Sequence, residues 1–179
     1  MTRGLRLTDG IVELRPPRRT DARPLYEAVT ASLAELVPWM AWAHAGYREV
    51  EAAEWVRRSG RAFADGLEFA FVVRSVETGE LLGSAGLNTI DRLNRWANLG
   101  YWIRSDRTGL GYATRATRLV SAFGMSEVEL GRIEILAAVD NLASQAVAER
   151  SGALREGVLR RRLRVGSDVQ DAVVFSLVP

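Results

Sequence analysis

Between Arg107 and Arg118 the chain reads RTGLGYATRATR, with two glycines one residue apart, small residues after them and three arginines in the stretch. A glycine-rich turn that enters a helix leaves several backbone N–H groups unpaired around one point, and the helix dipole adds positive potential there. That arrangement suits a pyrophosphate. Glycine at 109 and 111 lets the amides come within reach of phosphate oxygens that a side chain would hold off. Arg107, Arg115 and Arg118 could add contacts to further phosphates, or could be solvated on an exposed helix face.

Three kinds of phosphate loop compete for this stretch. A nucleoside-triphosphate loop needs Lys-Ser or Lys-Thr after its last glycine, whereas Tyr112-Ala113 follows here. A dinucleotide loop wants a third small residue where Thr114 stands, and a series of parallel units beginning near the N-terminus. The remaining option is a loop for coenzyme A.

The rest of the composition narrows the chemistry by exclusion. The chain has no cysteine and one histidine, so a disulfide framework, a thiolate or histidine-rich metal site and a cysteine nucleophile are all ruled out. No metal is expected. The net charge of +2 comes from positive side chains spread along the sequence, which disfavours a nucleic-acid track. With 47% hydrophobic and 26% charged residues the chain reads as globular, and no apolar run approaches the roughly 20 residues that span a bilayer. MTRGLRLTDG at the start lacks the continuous apolar centre of a secretory signal, so the expected compartment is the cytoplasm with no membrane partner. One domain over residues 1–179 is the simplest organisation for this length.

The elements that must position the loop follow from periodicity. Ile11 to Leu14 reads as a strand stopped by Pro16-Pro17, and Thr20-Asp21 as the cap of a helix over Ala22 to Thr30. The aromatic stretch LAELVPWMAWAHAGY, broken by Pro38, reads as a short helix and loop. A helix from about Arg48 to Ala64 is expected to turn Val50, Ala53, Val56 and Phe63 inward. Phe69 to Arg74 and Leu81 to Ile90 form a hairpin across Glu77-Thr78-Gly79-Glu80, and Trp96 to Arg104 is a third strand running into the glycine loop. The loop opens a helix with Ala113, Ala116, Val120 and Phe123 on one face, ending near Gly131. Arg132 to Val139 is an apolar strand and Asn141 to Arg150 a helix. Leu154 to Arg164 and Val169 to Val178 make a last hairpin around Gly166-Ser167-Asp168. This is an α/β (α+β) mixed sheet of about seven strands, mostly antiparallel, with one right-handed parallel crossover and about four flanking helices.

Set in order, GYWI, GLGYAT, RIE, VDNLAS, Gly152 and Glu156-Gly157 resemble the GNAT superfamily of acyl-CoA N-acyltransferases, and more narrowly its RimJ/RimL branch of ribosomal-protein N-terminal acetyltransferases. The turn Ile90-Asp91-Arg92-Leu93-Asn94, Trp39 and Asp171 match as well, so the likeness covers nearly the whole chain. The resemblance implies a splayed parallel pair, with Tyr101, Trp102 and Ile103 lining the pantetheine arm of acetyl-CoA. It places the pyrophosphate on Gly109, Leu110, Gly111, Tyr112, Ala113 and Thr114, with Arg107, Asn141 and Arg150 as further cofactor contacts. Ser144 would point at the thiol as its proton donor, while a serine serving only its own helix is the plainer alternative. Trp39, Trp42 and Asn88 are implied at the acceptor, with Tyr47 in the groove or the core beneath it. Three features depart from the family: Asp106 before the loop, Arg115 where glutamate is common, and Ala153 where phenylalanine is frequent.

The implied reaction is direct attack of a primary amine on the thioester, which needs a free amine, a stabilised oxyanion and a protonated thiolate. Glu68, Asp91 and Glu134 are the candidate bases, each with an alternative as loop charge, turn former or surface partner. An α-amine with a pKa near ~8 is already partly neutral at pH 7, whereas a lysine near ~10.4 costs about 3 kcal/mol more to deprotonate. His44 reads as a surface or core residue. The leading expectation is acetyl transfer to a protein N-terminus, with a small-molecule amine or a succinyl-type donor next. A non-catalytic CoA-binding module is the alternative from another class, and a homodimer is expected.

Overall fold

The structure, a computed structural model, describes residues 4–165 and 168–179. The chain runs through β1 (Leu7–Thr8), β2 (Val12–Arg15), α1 (Ala22–Thr30), α2 (Leu33–Leu36), α3 (Glu49–Ala64), β3 (Phe69–Ser75), β4 (Leu81–Asp91) and β5 (Trp96–Ile103). It continues through α4 (Tyr112–Ser126), β6 (Arg132–Ala138), α5 (Leu142–Arg150), β7 (Leu154–Val165) and β8 (Asp168–Leu177). The strands form one sheet in the order β1-β2-β3-β4-β5-β6-β8-β7, antiparallel at every junction except β5 with β6.

The sequence predicts about seven strands and four helices; the structure has eight strands and five α-helices among the described residues. The added strand is β1, of 2 residues, and the fifth helix is α2, the single turn of 4 that forms the short helix expected before Pro38. Neither is long enough to show a period. The expected turn at Gly166-Ser167 lies outside the described residues. No helix of the described chain is long and apolar enough to cross a membrane.

One face of the sheet packs under α4. Ala116, Val120 and Phe123 meet Leu87, Leu99, Ile133 and Phe175, and Gly124 lets the helix settle, since a Cβ there would stand 2.9 Å from Ile133 and Leu87. Phe63, Phe69, Phe71 and Phe123 meet edge to face with centroids 5.0 to 5.4 Å apart, the geometry favoured by the ring quadrupoles. The other face takes α1 and α3 through Leu25, Ala28, Ala52, Val56 and Val72. Here the expected inward face of α3 is corrected. Val50 is 59% exposed and Ala53 is exposed, while Ala52, Val56, Ser59 and Phe63 are buried. Val56 and Phe63 keep their expected place, and Ala52 and Ser59 complete the buried stripe in place of Val50 and Ala53.

Asp21 also differs from its expected role as a helix cap. Its carboxylate accepts both terminal nitrogens of Arg15 at 2.7 Å and the Arg18 N–H at 2.7 Å, with Arg74 at 3.4 Å. Both members of the main pair are buried, Asp21 at 1% and Arg15 at 7% exposure. Burial pushes the Asp21 carboxyl up, but the Arg15 fork, the Arg18 amide and Arg74 together bring it below its ordinary value. The pair fastens the start of α1 to β2 and β3.

Asp21→Asn is expected to destabilise the protein by about 3–5 kcal/mol, because it leaves Arg15 buried without its counter-charge. The corresponding fall in Tm is roughly 6–20 °C. Since the folded carboxyl sits below its unfolded value near ~3.9, its contribution is complete above that pH and is lost as the pH falls through the folded value. Urea unfolding should therefore show the gap between wild type and variant narrowing below about pH 4; a gap independent of pH would trace the loss to packing.

Candidate active site

β5 leads into a 3-10 turn at Ser105–Arg107 and then into the glycine loop. Gly109 and Gly111 take φ of +76° and +79°, and no atom lies within 4 Å of a Cβ built on either. From Gly109 to Thr114 every backbone N–H is without an acceptor in the described chain; Arg115 N–H is the first to find one, on the Gly111 carbonyl at 3.1 Å. The Thr114 hydroxyl oxygen is buried among them without a partner. Consecutive unpaired amides at the start of α4 form a nest for an anionic group, and they fit the pyrophosphate of coenzyme A.

The arginines of the quoted stretch are engaged elsewhere. Arg107 reaches Glu80 at 3.0 Å and Asp106 at 3.5 Å, Arg115 reaches Asp9 at 2.7 Å, and Arg118 donates to the Arg150 carbonyl. Asp106, an acid unwelcome beside phosphate, is clamped by Arg104 at 2.7 Å. This turn is tied to the helical layer where Ser105 N–H donates to Ser32 Oγ at 3.0 Å.

Parallel pairing of β5 with β6 covers Trp96, Ala97 and Asn98 against Arg132, Ile133 and Glu134, and stops there. Beyond Leu99 the strands part, each still paired on its outer side. A cavity of about 360 Å³ opens at the parting. Tyr101, Trp102, Asn141 and Ser144, expected at the cofactor, and Trp39, Trp42 and Asn88, expected at the acceptor, all line it. The structure therefore brings together both sets of expected residues except Ile103, Arg107, Arg150 and the loop, which lie outside the cavity wall.

Asn141 caps α5 by accepting the Ser144 N–H at 3.0 Å, which sets the first turn of the helix against the cavity. Gln145 donates to the Ala138 and Val139 carbonyls at 3.2 and 2.8 Å, fixing the same turn to the end of β6. The Tyr101 hydroxyl donates to the Ser144 carbonyl at 2.9 Å and lies 3.0 Å from Ser144 Oγ. Burial pushes the Tyr101 phenol up to about 12, against the opposing effects of the Ser144 hydrogen bond and the Arg150 charge. It stays protonated at any neutral pH.

Of the expected bases, Glu68 is the sole carboxylate lining the cavity among the described residues. Asp91 and Glu134 are not among its lining residues. Asp91 accepts the Asn94 N–H and side-chain amide at 2.8 Å each, and these bonds lower its pKa in a turn away from the cavity. Glu134 is held by Arg132 at 2.9 Å. His44 is a half-exposed partner of Glu51 at 2.8 Å. No group of three potential metal ligands occurs among the described residues.

Sequence reasoning missed Trp55, Asn98 and Leu163 as cavity residues. Trp55 was findable from the α3 stripe once that was drawn through Ala52 and Val56. Asn98 stands directly across from Asn88 and donates to it at 3.0 Å, a pairing set by strand register rather than by local sequence. The contact of the Tyr101 hydroxyl with Ser144 spans 43 positions and had no sequence signal.

A splayed parallel pair, an amide nest at its end and hydroxyls at its neck define an acyl-CoA-dependent acyltransferase. A profile of the acetyltransferase (GNAT) domain matches residues 12–154. The chain is 35% identical over 163 residues to YdaF of Bacillus subtilis (strain 168), covering 88% of this chain and 86% of that protein. It is 26% identical over 178 residues to the ribosomal-protein-serine acetyltransferase of Escherichia coli (strain K12), covering 99% and 98%. The microcin C7 self-immunity acetyltransferase MccE, solved with acetyl-CoA and AMP, superposes with a TM-score of 0.88 at 25% identity over 96% of this chain and 94% of its own. The chain belongs to the GNAT acetyltransferase family, in its RimJ/RimL-like group.

Gly111→Val is expected to preserve the fold and to weaken coenzyme A binding about a hundredfold or more. A branched side chain resists a φ of +79° and would stand before the amides, removing one or two charge-assisted hydrogen bonds. Calorimetry giving an unchanged affinity would refute the nest.

Proposed function

We propose that this acetyltransferase transfers the acetyl group of acetyl-CoA to the N-terminal α-amine of a protein. The observation that carries this reading is the Tyr101–Ser144 hydroxyl pair, 3.0 Å apart, at the wall shared by the splay and the aromatic cavity. Likeness to a ribosomal-protein-serine acetyltransferase over 99% of the chain supports a protein acceptor.

Acetyl-CoA supplies a thioester whose C–S bond breaks as the amine forms its N–C bond; the amine sheds one proton and the departing thiolate takes one. The amides of Gly109 to Thr114 bind the pyrophosphate, and the free edge of β5 beyond Leu99 offers backbone groups to the pantetheine arm and an N–H to the developing oxyanion. With the phenol proton of Tyr101 on the Ser144 carbonyl, the Ser144 hydroxyl places its own single proton, on the phenol oxygen at rest or on sulfur as charge builds there. Tyr101 and Asn141 orient it. Glu68 attracts the incoming ammonium and accepts its proton, directly or through water.

A small planar amine is the second reading. Trp42 lies 5.9 Å from Trp102 and 6.0 Å from Tyr47, ring to ring, walls on which a flat group could stack. Incubation of lysate proteins and metabolites with labelled acetyl-CoA, followed by mass spectrometry, separates the two. Label on protein N-termini supports the first reading, and label confined to metabolites supports the second.

If Ser144 gives its proton to the thiolate, the interaction strengthens only as charge builds on sulfur. Ser144→Ala should then lower kcat roughly ten- to a thousandfold while leaving acetyl-CoA affinity nearly unchanged. A normal kcat, with chemistry shown to be rate-limiting, would pass the proton to solvent. Glu68→Gln is expected to lower kcat/KM about ten- to a hundredfold at neutral pH, with the loss shrinking as the pH rises past the amine's own pKa near ~8 and the neutral amine dominates. A loss that stays constant across that range would assign Glu68 to binding alone.

A further inference from the structure

The catalytic reading leaves one strongly charged feature of the hairpin β7–β8 unused. Between Leu159 and Leu163 the strand pairing slips, so Arg160, Arg161 and Arg162 together face Asp171 in β8. Arg161 adopts a left-handed φ of 53° and donates its N–H to the Asp171 carboxylate at 2.7 Å. That bond fixes the bulge, and bulges re-aim side chains next to sites. All three arginines are exposed, and among the described residues none of their guanidinium groups forms an ion pair or side-chain hydrogen bond. The arginines nearer the glycine loop behave otherwise, since Arg104, Arg107 and Arg115 are all paired with acids. The next residue along, Leu163, lines the cavity, so the bulge that carries the triplet adjoins the cavity in the chain.

We propose that Arg160, Arg161 and Arg162 form a docking patch for acidic side chains that follow the acceptor's N-terminal amine, making the enzyme selective for N-termini trailed by Asp or Glu. This rests on the reading of a protein acceptor. A guanidinium offers carboxylates a planar fork of donors, and a bulge already held by Asp171 presents the forks without further ordering. The patch is short and local, and the chain's net charge is only +2, which fits a brief acidic segment rather than the continuous track that follows a phosphate backbone. Val158 and Leu159 beside it are 47% and 41% exposed, giving the patch an apolar flank suited to a polypeptide.

The test uses two labelled peptides that begin Ser-Ala-Ala and continue with either glutamates or glutamines. Binding is read by fluorescence anisotropy with coenzyme A present, and acetylation by steady-state kinetics, for wild type, Arg160→Ala/Arg162→Ala and Arg160→Glu/Arg162→Glu. Wild type is expected to favour the glutamate peptide by about tenfold in Kd and KM, more at low salt than at high. The alanine variant should lose the preference and the glutamate variant should reverse it, with Tm and the affinity for coenzyme A unchanged. Equal binding of the two peptides by wild type would overturn the proposal, as would a preference that survives in both variants. An RNA oligomer bound through these arginines while the acidic peptide is ignored would overturn it too. Arginine-dependent binding of the acidic peptide without acetylation of either would uphold the patch and refute the N-terminal acceptor.

Discussion

Three residue pairs hold β5 to β6, and the arrangement of the site depends on the pairing ending there. A sheet that stops zipping leaves backbone N–H and C=O groups along two strands, and such groups must find partners in water or in a ligand. The sequence keeps the gap from closing by securing each strand elsewhere. β5 stays in register with β4 as far as Ile103, and β6 with β8 as far as Ala138. The start of α5 is then wedged at the opening, pinned by Gln145 to the end of β6 and by Ser144 to Tyr101 of β5. An extended arm carrying amides is the natural complement of that edge. The loop at the strand's end supplies the amides for the charge such an arm carries.

Charge is distributed so that the loop works through its backbone. Arg104 and Arg107 close a network with Glu80 and Asp106, and Arg115 is taken by Asp9. Side chains near the nest thus neutralise one another, while the amides from Gly109 to Thr114 remain unpaired. Hydrogen bonds to an anion are worth about 1.5–3 kcal/mol each, so a few backbone donors suffice without a free guanidinium. The same network clamps the 3-10 turn that aims the loop. Arg160, Arg161 and Arg162 of the β7–β8 hairpin, by contrast, form no ion pair among the described residues.

Local signals made most of the fold readable. Alternation marked β3 to β6, and Gly109 and Gly111 marked the loop, because each depends on residues a few positions apart. The inward face of α3 was misread at Val50 and Ala53 because the apolar residues of this helix fit more than one stripe, and the buried one includes the polar Ser59. Asp21 looked like a cap because Asp before a helix usually is one; its bond to Arg15 depends on the chain folding back over Pro16-Pro17, which helix-start signals do not show. The site divides the same way. Asn141 and Ser144 were visible as a helix start, yet the hydroxyl that orients Ser144 comes from 43 residues away. Asp91 and Glu134 carried the alternatives of turn former and surface partner, and their bonds to Asn94 and Arg132 match those alternatives.

The cavity itself constrains which amine can react. Its walls are largely apolar and aromatic, with Asn88 and Asn98 on the sheet floor and Glu68 as the sole carboxylate among the described lining residues. Transfer of an ammonium from water into such a space disfavours the charged form, the same effect that raises the Tyr101 phenol to about 12. Aromatic faces and one carboxylate would attract the cation as it arrives. Deeper in, the neutral amine is favoured, and neutrality is what attack on a thioester requires. An α-amine with a pKa near ~8 crosses this step with little help, whereas a lysine near ~10.4 carries about 3 kcal/mol more to overcome. On the proposed reading, a cavity with Glu68 as its one carboxylate would favour the α-amine by protonation alone, before any contact with the side chains of the acceptor.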